Sequence, residues 1–121
     1  MPPAVTTDAE RLRSQADRIA CALKMLANPD RMLLLWKLSQ GERCVGELEA
    51  ELDIHQPTLS QQLGVLRSEG AVTTRRVGKH IYYSAPDPEL RQLVAFLYHA
   101  YPQDAGRIIS KQKRGARRAG E

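Results

Sequence analysis

The stretch VGELEAELDIHQPTLSQQLGVLRSEG, residues 45–70, decides the fold. Val45, Leu48 and Leu52 recur at helical spacing and predict a short helix from about Val45 to Leu52. Ile54 closes it into a tight turn. Pro57 opens a further helix, because its fixed φ suits a first helical position. On that helix Leu59, Leu63 and Leu66 face inward, Thr58, Ser60, Gln61 and Gln62 face largely outward, and Gly70 supplies the stop. Two short helices around a tight turn, the second with an uncharged polar outer face, form a helix-turn-helix layout. Hydroxyl and amide side chains on such a face can reach base edges, and glutamine can bond adenine in a bidentate way.

Toward the C-terminus, Ala71–Arg76 and His80–Ser84 are β-like runs rich in Val, Thr, Ile and Tyr. They flank Val77-Gly78-Lys79, so they predict a hairpin that stands as a wing beside the second helix. Arg75, Arg76 and Lys79 then sit where a wing meets phosphate or a minor groove, and His80 beside them reads as a DNA contact or a solvent-exposed ring. Pro86-Asp87-Pro88 breaks the chain, and a last helix is expected from about Pro88 to Tyr101, stopped by Pro102.

Toward the N-terminus, Asn28-Pro29-Asp30 carries a cap, a first-turn proline and an acid that complements the helix dipole. It predicts a mostly apolar central helix to about Gln40, with Gly41 as its stop and Trp36 in the core. An earlier helix from Glu10 has Leu12, Ala16, Ile19, Ala20, Leu23 and Leu26 on one side. Residues 1–9 are expected to be a flexible lead, 10–104 the folded domain, and 105–121 a disordered basic tail.

The 121 residues fit one domain, with a net charge of +4. The excess belongs to the tail, where Arg107, Lys111, Lys113, Arg114, Arg117 and Arg118 oppose only Glu121. The local distribution is more informative. Residues 42–53 set Glu42, Glu47, Glu49, Glu51 and Asp53 against Arg43; residues 54–85 set Arg67, Arg75, Arg76 and Lys79 against Glu69. A phosphate backbone favours the second segment and is repelled by the first. The N-terminus lacks the pattern of a signal peptide, and the longest apolar run, Met32 to Trp36, is far too short for a membrane span. Two cysteines in such a chain read as thiols, and a cytoplasmic location is expected. No nucleophilic triad, paired-carboxylate or phosphate-loop pattern points to an enzyme, and no cofactor is implied.

The order helix, helix, helix-turn-helix, hairpin, helix resembles the ArsR/SmtB family of bacterial repressors. The residues carrying the resemblance are Leu26-Ala27-Asn28-Pro29-Asp30-Arg31, Val45-Gly46-Glu47-Leu48, Gln56 through Arg67, Gly70-Ala71-Val72, Arg75-Arg76, Gly78 and Tyr82-Tyr83. The match spans roughly residues 15–101. It implies an α+β, mainly α, winged helix-turn-helix of five helices and a β-hairpin wing, paired as a homodimer through its first and last helices. It also implies double-stranded operator DNA as partner and release by an effector or by thiol modification. The expected DNA contacts are His55, Gln56, Thr58, Ser60, Gln61, Gln62, Arg67, Arg75, Arg76, Lys79 and His80. The expected interface comprises Leu12, Ile19, Leu23, Leu90, Leu93, Val94, Leu97 and Tyr101. A protein-interaction module on the same fold, or a metal- or thiol-buffering protein, are the alternative readings.

The family's sensor positions resolve unevenly. The soft-metal branch carries Cys-x-Cys where this chain has Cys44-Val45-Gly46, and a lone thiolate is a poor soft-metal site. Zinc-type members carry Asp-x-His and a distant His pair; here Asp87-Pro88-Glu89 and His99 lack that spacing, so no metal site is expected. The closest framework is that of the thiol and reactive-sulfur sensors, but Trp36 and Pro102 occupy the places of their two cysteines. Of the actual thiols, Cys21 reads as an inert core residue. Cys44 is the candidate sensing thiol, because a helix start favours the reactive thiolate and Arg43 is adjacent, although Glu42 and Glu47 oppose this. His55 is read as either a cap of the recognition helix or a phosphate contact.

Overall fold

A computed structural model describes residues 7–103. Its elements in chain order are α1 (Asp8–Leu26), α2 (Pro29–Ser39), β1 (Arg43–Cys44), α3 (Val45–Leu52), α4 (Thr58–Ser68), β2 (Thr73–Val77), β3 (His80–Ser84) and α5 (Pro88–Ala100). The helices start where the sequence supplies caps. Asn28 Oδ1 accepts from the N–H groups of Asp30 and Arg31 at 2.9 and 3.1 Å, and Asp87 Oδ1 accepts from Glu89 N–H at 2.9 Å.

α1 begins two residues earlier than Glu10. Thr7 Oγ1 accepts from Glu10 N–H while the Glu10 carboxylate accepts from Thr7 N–H, a reciprocal capping box that orders residues expected to fray. Residues 1–6 of the expected flexible lead, and the basic tail over 105–121, lie outside the described residues.

The three strands form an antiparallel sheet in the order β1-β3-β2. Thr73 pairs with Ser84 and Val77 with His80, leaving Gly78-Lys79 as a two-residue turn. Gly78 has φ +61°, a left-handed conformation that costs glycine little. The first strand of the expected hairpin starts two residues late, because Ala71 and Val72 are buried in the core ahead of the ladder. β1 was not anticipated. It is two residues long and docks the start of α3 to the wing, with Arg43 opposite Tyr83 and Cys44 opposite Tyr82.

The core lies around α2, which contributes Leu34, Leu35 and Leu38. Leu48 comes from α3, Leu59, Leu63 and Leu66 from α4, Val72 and Ala85 from the wing roots, and Leu90 and Val94 from α5. Trp36 is half-buried against this core and stacks on Tyr98, with ring centroids 5.3 Å apart. Burial raises the Tyr98 phenol above its usual range. Pro102 is exposed.

α1 joins the core only through its C-terminal turns, with Ala22, Met25 and Leu26. Of its residues only Leu26 is buried, while Leu12, Ile19 and Leu23 are 65%, 51% and 47% exposed. Cys21 is exposed as well, which corrects its reading as a core thiol: it lines an open groove between α1, the wing root at Ala71 and α5 at Leu90 and Leu93. Leu90 and Val94, expected at an interface, are 8% and 0% exposed and belong to the protomer's own core. Leu93 and Leu97 pack partly against that core. Tyr101 and Phe96, the latter unforeseen, are 71% and 64% exposed.

Candidate nucleic-acid interface

α3, the turn and α4 form the expected reading unit. α3 ends at Asp53, whose φ of 56° is a left-handed conformation that aspartate tolerates, and Asp53 N–H bonds the Glu49 carbonyl at 3.1 Å. The chain then reverses through Ile54, which is buried. Gln56 rather than His55 caps α4: its Oε1 accepts from Ser60 N–H at 3.1 Å and from Ser60 Oγ–H at 2.7 Å. His55 contributes only its backbone carbonyl, to Leu59 N–H. Its exposed ring lies beside acids at the end of α3, with Nε2 2.8 Å from Asp53 Oδ1 and Nδ1 3.7 Å from Glu49 Oε2.

The outer face of α4 and the residue leading into it thus separate into three groups. Gln61 and Arg67 are exposed and have no side-chain partner among the described residues. Gln56 and Ser60 are exposed but bonded to each other. Thr58 and Gln62 are half-buried, and Gln62 Oε1 accepts from Arg31 Nη1 at 3.1 Å. Val65, one turn beyond Gln61, is 40% exposed. It joins the same face and was not anticipated.

On the wing, Arg76 and Lys79 are exposed and likewise lack a side-chain partner among the described residues, and His80 packs edge-on against Tyr82. Arg75 differs. Its Nε and Nη2 donate to the two Glu42 carboxylate oxygens, each at 2.7 Å, and its guanidinium lies 5.3 Å from the Tyr82 ring centroid. The bidentate bond holds the Glu42 carboxyl below its usual range, chiefly through hydrogen bonding with Arg75, and raises Arg75 in turn. Arg75 therefore reaches solvent only through its remaining donors, and Glu42 is a partner of Arg75 that the sequence pattern did not reveal.

Cys44 occupies the cap position of α3, as expected, and is partly exposed. Its N–H donates to Glu47 Oε1 at 2.9 Å. Arg43 does not assist the thiol: its Nε donates to Glu51 at 3.3 Å and its Nη1 to the Glu42 carbonyl at 3.1 Å. Lys37 also pairs with Glu51, at 3.3 Å, and this hydrogen bond is the main reason that Glu51 is held below its usual range. No cluster of three or more metal-ligating side chains occurs among the described residues. No described helix is long and apolar enough to cross a membrane.

Residues 28–74 match the family described as bacterial regulatory protein, arsR family. The chain is 52% identical over 87 residues to a biofilm growth-associated repressor of Agrobacterium fabrum, covering 72% of this chain and 74% of that protein. A protein of the same description from Xylella fastidiosa is 48% identical over 89 residues, covering 74% and 78%. Among solved structures, the transcriptional repressor BigR from Xylella fastidiosa superposes with a TM-score of 0.74 at 44% identity, covering 81% of this chain and all of that one.

Proposed function

Because this chain belongs to the ArsR family of bacterial regulatory proteins, we propose that it is a homodimeric repressor binding an inverted-repeat operator and released by a signal. It is a winged helix-turn-helix, DNA-binding transcriptional regulator, and its relatives are regulators rather than enzymes. The observation carrying the proposal is the exposed polar outer face of α4 in one domain with the exposed wing bases Arg76 and Lys79, while Leu12, Ile19 and Leu23 of α1 stay exposed. In this reading Gln61 and Thr58 meet base edges. Arg67, Arg76 and Lys79 meet phosphate, and Gln56 and Ser60 order the N-terminus of α4 that approaches the backbone.

Release is assigned to Cys44 ahead of Cys21. Cys44 sits where β1 joins α3 and pairs with the wing, so an added group there has a route to the reading head. Cys21 lies on the exposed face of α1. The deciding experiment is a DNA titration of reduced protein at several salt concentrations against an inverted repeat selected from random sequence. It is then repeated with peroxide and polysulfide on wild type, Cys44→Ser and Cys21→Ser. Salt-sensitive, sequence-selective binding is expected, with release lost in Cys44→Ser. Equal affinity for all sequences would defeat the repressor reading, and release lost only in Cys21→Ser would move the switch to α1.

A further inference from the structure

Arg31 occupies a junction that the family assignment does not explain. It stands in the first turn of α2, where Asn28 Oδ1 holds its backbone N–H at 3.1 Å. Its half-buried side chain turns back to the end of α1, where Nε donates to the Met25 carbonyl at 2.7 Å and Nη2 to the Lys24 carbonyl at 3.1 Å. These carbonyls belong to the last turn of α1, where Lys24 O also accepts from Ala27 N–H at 3.3 Å and a positive charge complements the helix dipole. The third contact leaves that helix end altogether: Nη1 donates to Gln62 Oε1 on α4, 31 positions away in sequence. One planar guanidinium thus bridges α1, whose apolar face is uncovered, and the helix that carries the reading face.

The contact also sets the polarity of Gln62. An amide offers one acceptor oxygen and one donor nitrogen, and here the oxygen is engaged by a cation. The Nε2 group has no partner among the described residues.

We propose that Arg31 is a positioning residue for operator recognition, fixing α4 against the end of α1 and presenting Gln62 to DNA as a hydrogen-bond donor. The proposal rests on the reading that α4 faces DNA. The acceptor is a phosphate oxygen or a base-edge acceptor, and Arg31 leaves the Nε2 group of Gln62 as the atom turned to it while occupying one of the two lone pairs of the amide oxygen.

The test is a double-mutant cycle on DNA affinity, with thermal melting of every variant. Gln62→Ala removes a partly exposed side chain and is expected to weaken operator binding about tenfold. Gln62→Glu retains an acceptor for Arg31 but loses the donors, so it should bind no better than Gln62→Ala. Arg31→Ala should lose as much as Gln62→Ala, and the double variant no more than either alone. Arg31→Lys, with a charge but no planar fork, should recover part of the loss. A loss confined to the operator identifies a base acceptor, and an equal loss on random DNA identifies phosphate. Additive losses would overturn the proposal, as would wild-type affinity in Gln62→Ala while Gln61→Ala binds weakly. Should both glutamine variants bind normally, the reading of α4 itself would fail.

Discussion

At the scale of single residues, charge decides which side chains are available to a partner. Arg75 and Arg76 are adjacent in sequence, yet Glu42 engages Arg75 through both carboxylate oxygens while Arg76 projects into solvent. Their salt responses should therefore differ. Arg76→Ala is expected to weaken binding to every DNA sequence and to reduce the slope of log affinity against log salt by about one. Glu42→Gln should act in the opposite direction, because it removes a carboxylate facing the wing and frees Arg75 for phosphate, steepening the slope by about one. Affinity titrations from low to moderate salt would check both, and an unchanged slope in Glu42→Gln would show that Arg75 is already committed to DNA. The Glu42 carboxyl is depressed in the folded state, so the pair's stabilisation is present above its unfolded pKa and is lost as pH falls through the folded pKa. The clamp is accordingly closed throughout the neutral range and opens only in acid. The sequence disclosed the acids of 42–53 and the bases of 54–85 as opposing blocks, but not which acid meets which base. That pairing depends on β1, a two-residue strand too short to leave a periodic signature.

At the scale of elements, local chemistry made the helices legible. Asn28, the Pro86-Asp87-Pro88 break and the leucine spacing of 48–66 place α2 to α5 within a residue or two, since capping, breaks and periodicity are written in neighbouring positions. The misread features are tertiary ones. The burial of Leu90 and Val94 and the exposure of Cys21 depend on which face of a helix meets another, as does the Arg31–Gln62 contact, which no sequence pattern announces. α4 also carries a glycine that its own packing does not require. A Cβ at Gly64 would meet no atom within 4 Å. Helical glycine costs roughly 0.5–1 kcal/mol relative to alanine, so Gly64→Ala should stabilise the domain by about that amount in urea unfolding. Gly64 is exposed and follows Gln61 by three positions, on the same side of the helix. Gly64→Lys should therefore raise affinity for all DNA and steepen the salt slope by about one. A stabilised Gly64→Lys variant with unaltered DNA affinity would mean that this side of α4 faces away from the duplex.

At the scale of the whole molecule, the protomer leaves an apolar surface that its own core does not use. Every residue from Thr7 to Cys21 is exposed, yet Leu12, Ile19 and Leu23 lie along one side of α1, and Phe96 and Tyr101 project from α5. Covering a large aliphatic side chain is worth roughly 1.5–3 kcal/mol, and two copies related by a two-fold axis would bury each such residue twice. The same axis would hold two α4 helices about 34 Å apart, one turn of duplex, which is what an inverted repeat demands. Leu97 is a poor probe of this arrangement, because it also packs against the protomer core and its loss would unfold the chain as well as separate copies. Ile19 is the cleaner probe, since half of it is already in water and its substitution opens no core cavity. Ile19→Asp is expected to retain the thermal unfolding enthalpy per protomer and the helical signal, to sediment as a monomer, and to bind an inverted repeat no better than a single half-site. Gln61→Ala should do the reverse, remaining a dimer while losing roughly 1–3 kcal/mol on the operator alone. Sedimentation of the two variants beside half-site and full-site titrations separates assembly from reading. A dimeric Ile19→Asp with normal operator affinity would place the interface away from α1. A monomeric one with undiminished affinity would show that a single reading head suffices, and would remove the reason for the inverted repeat.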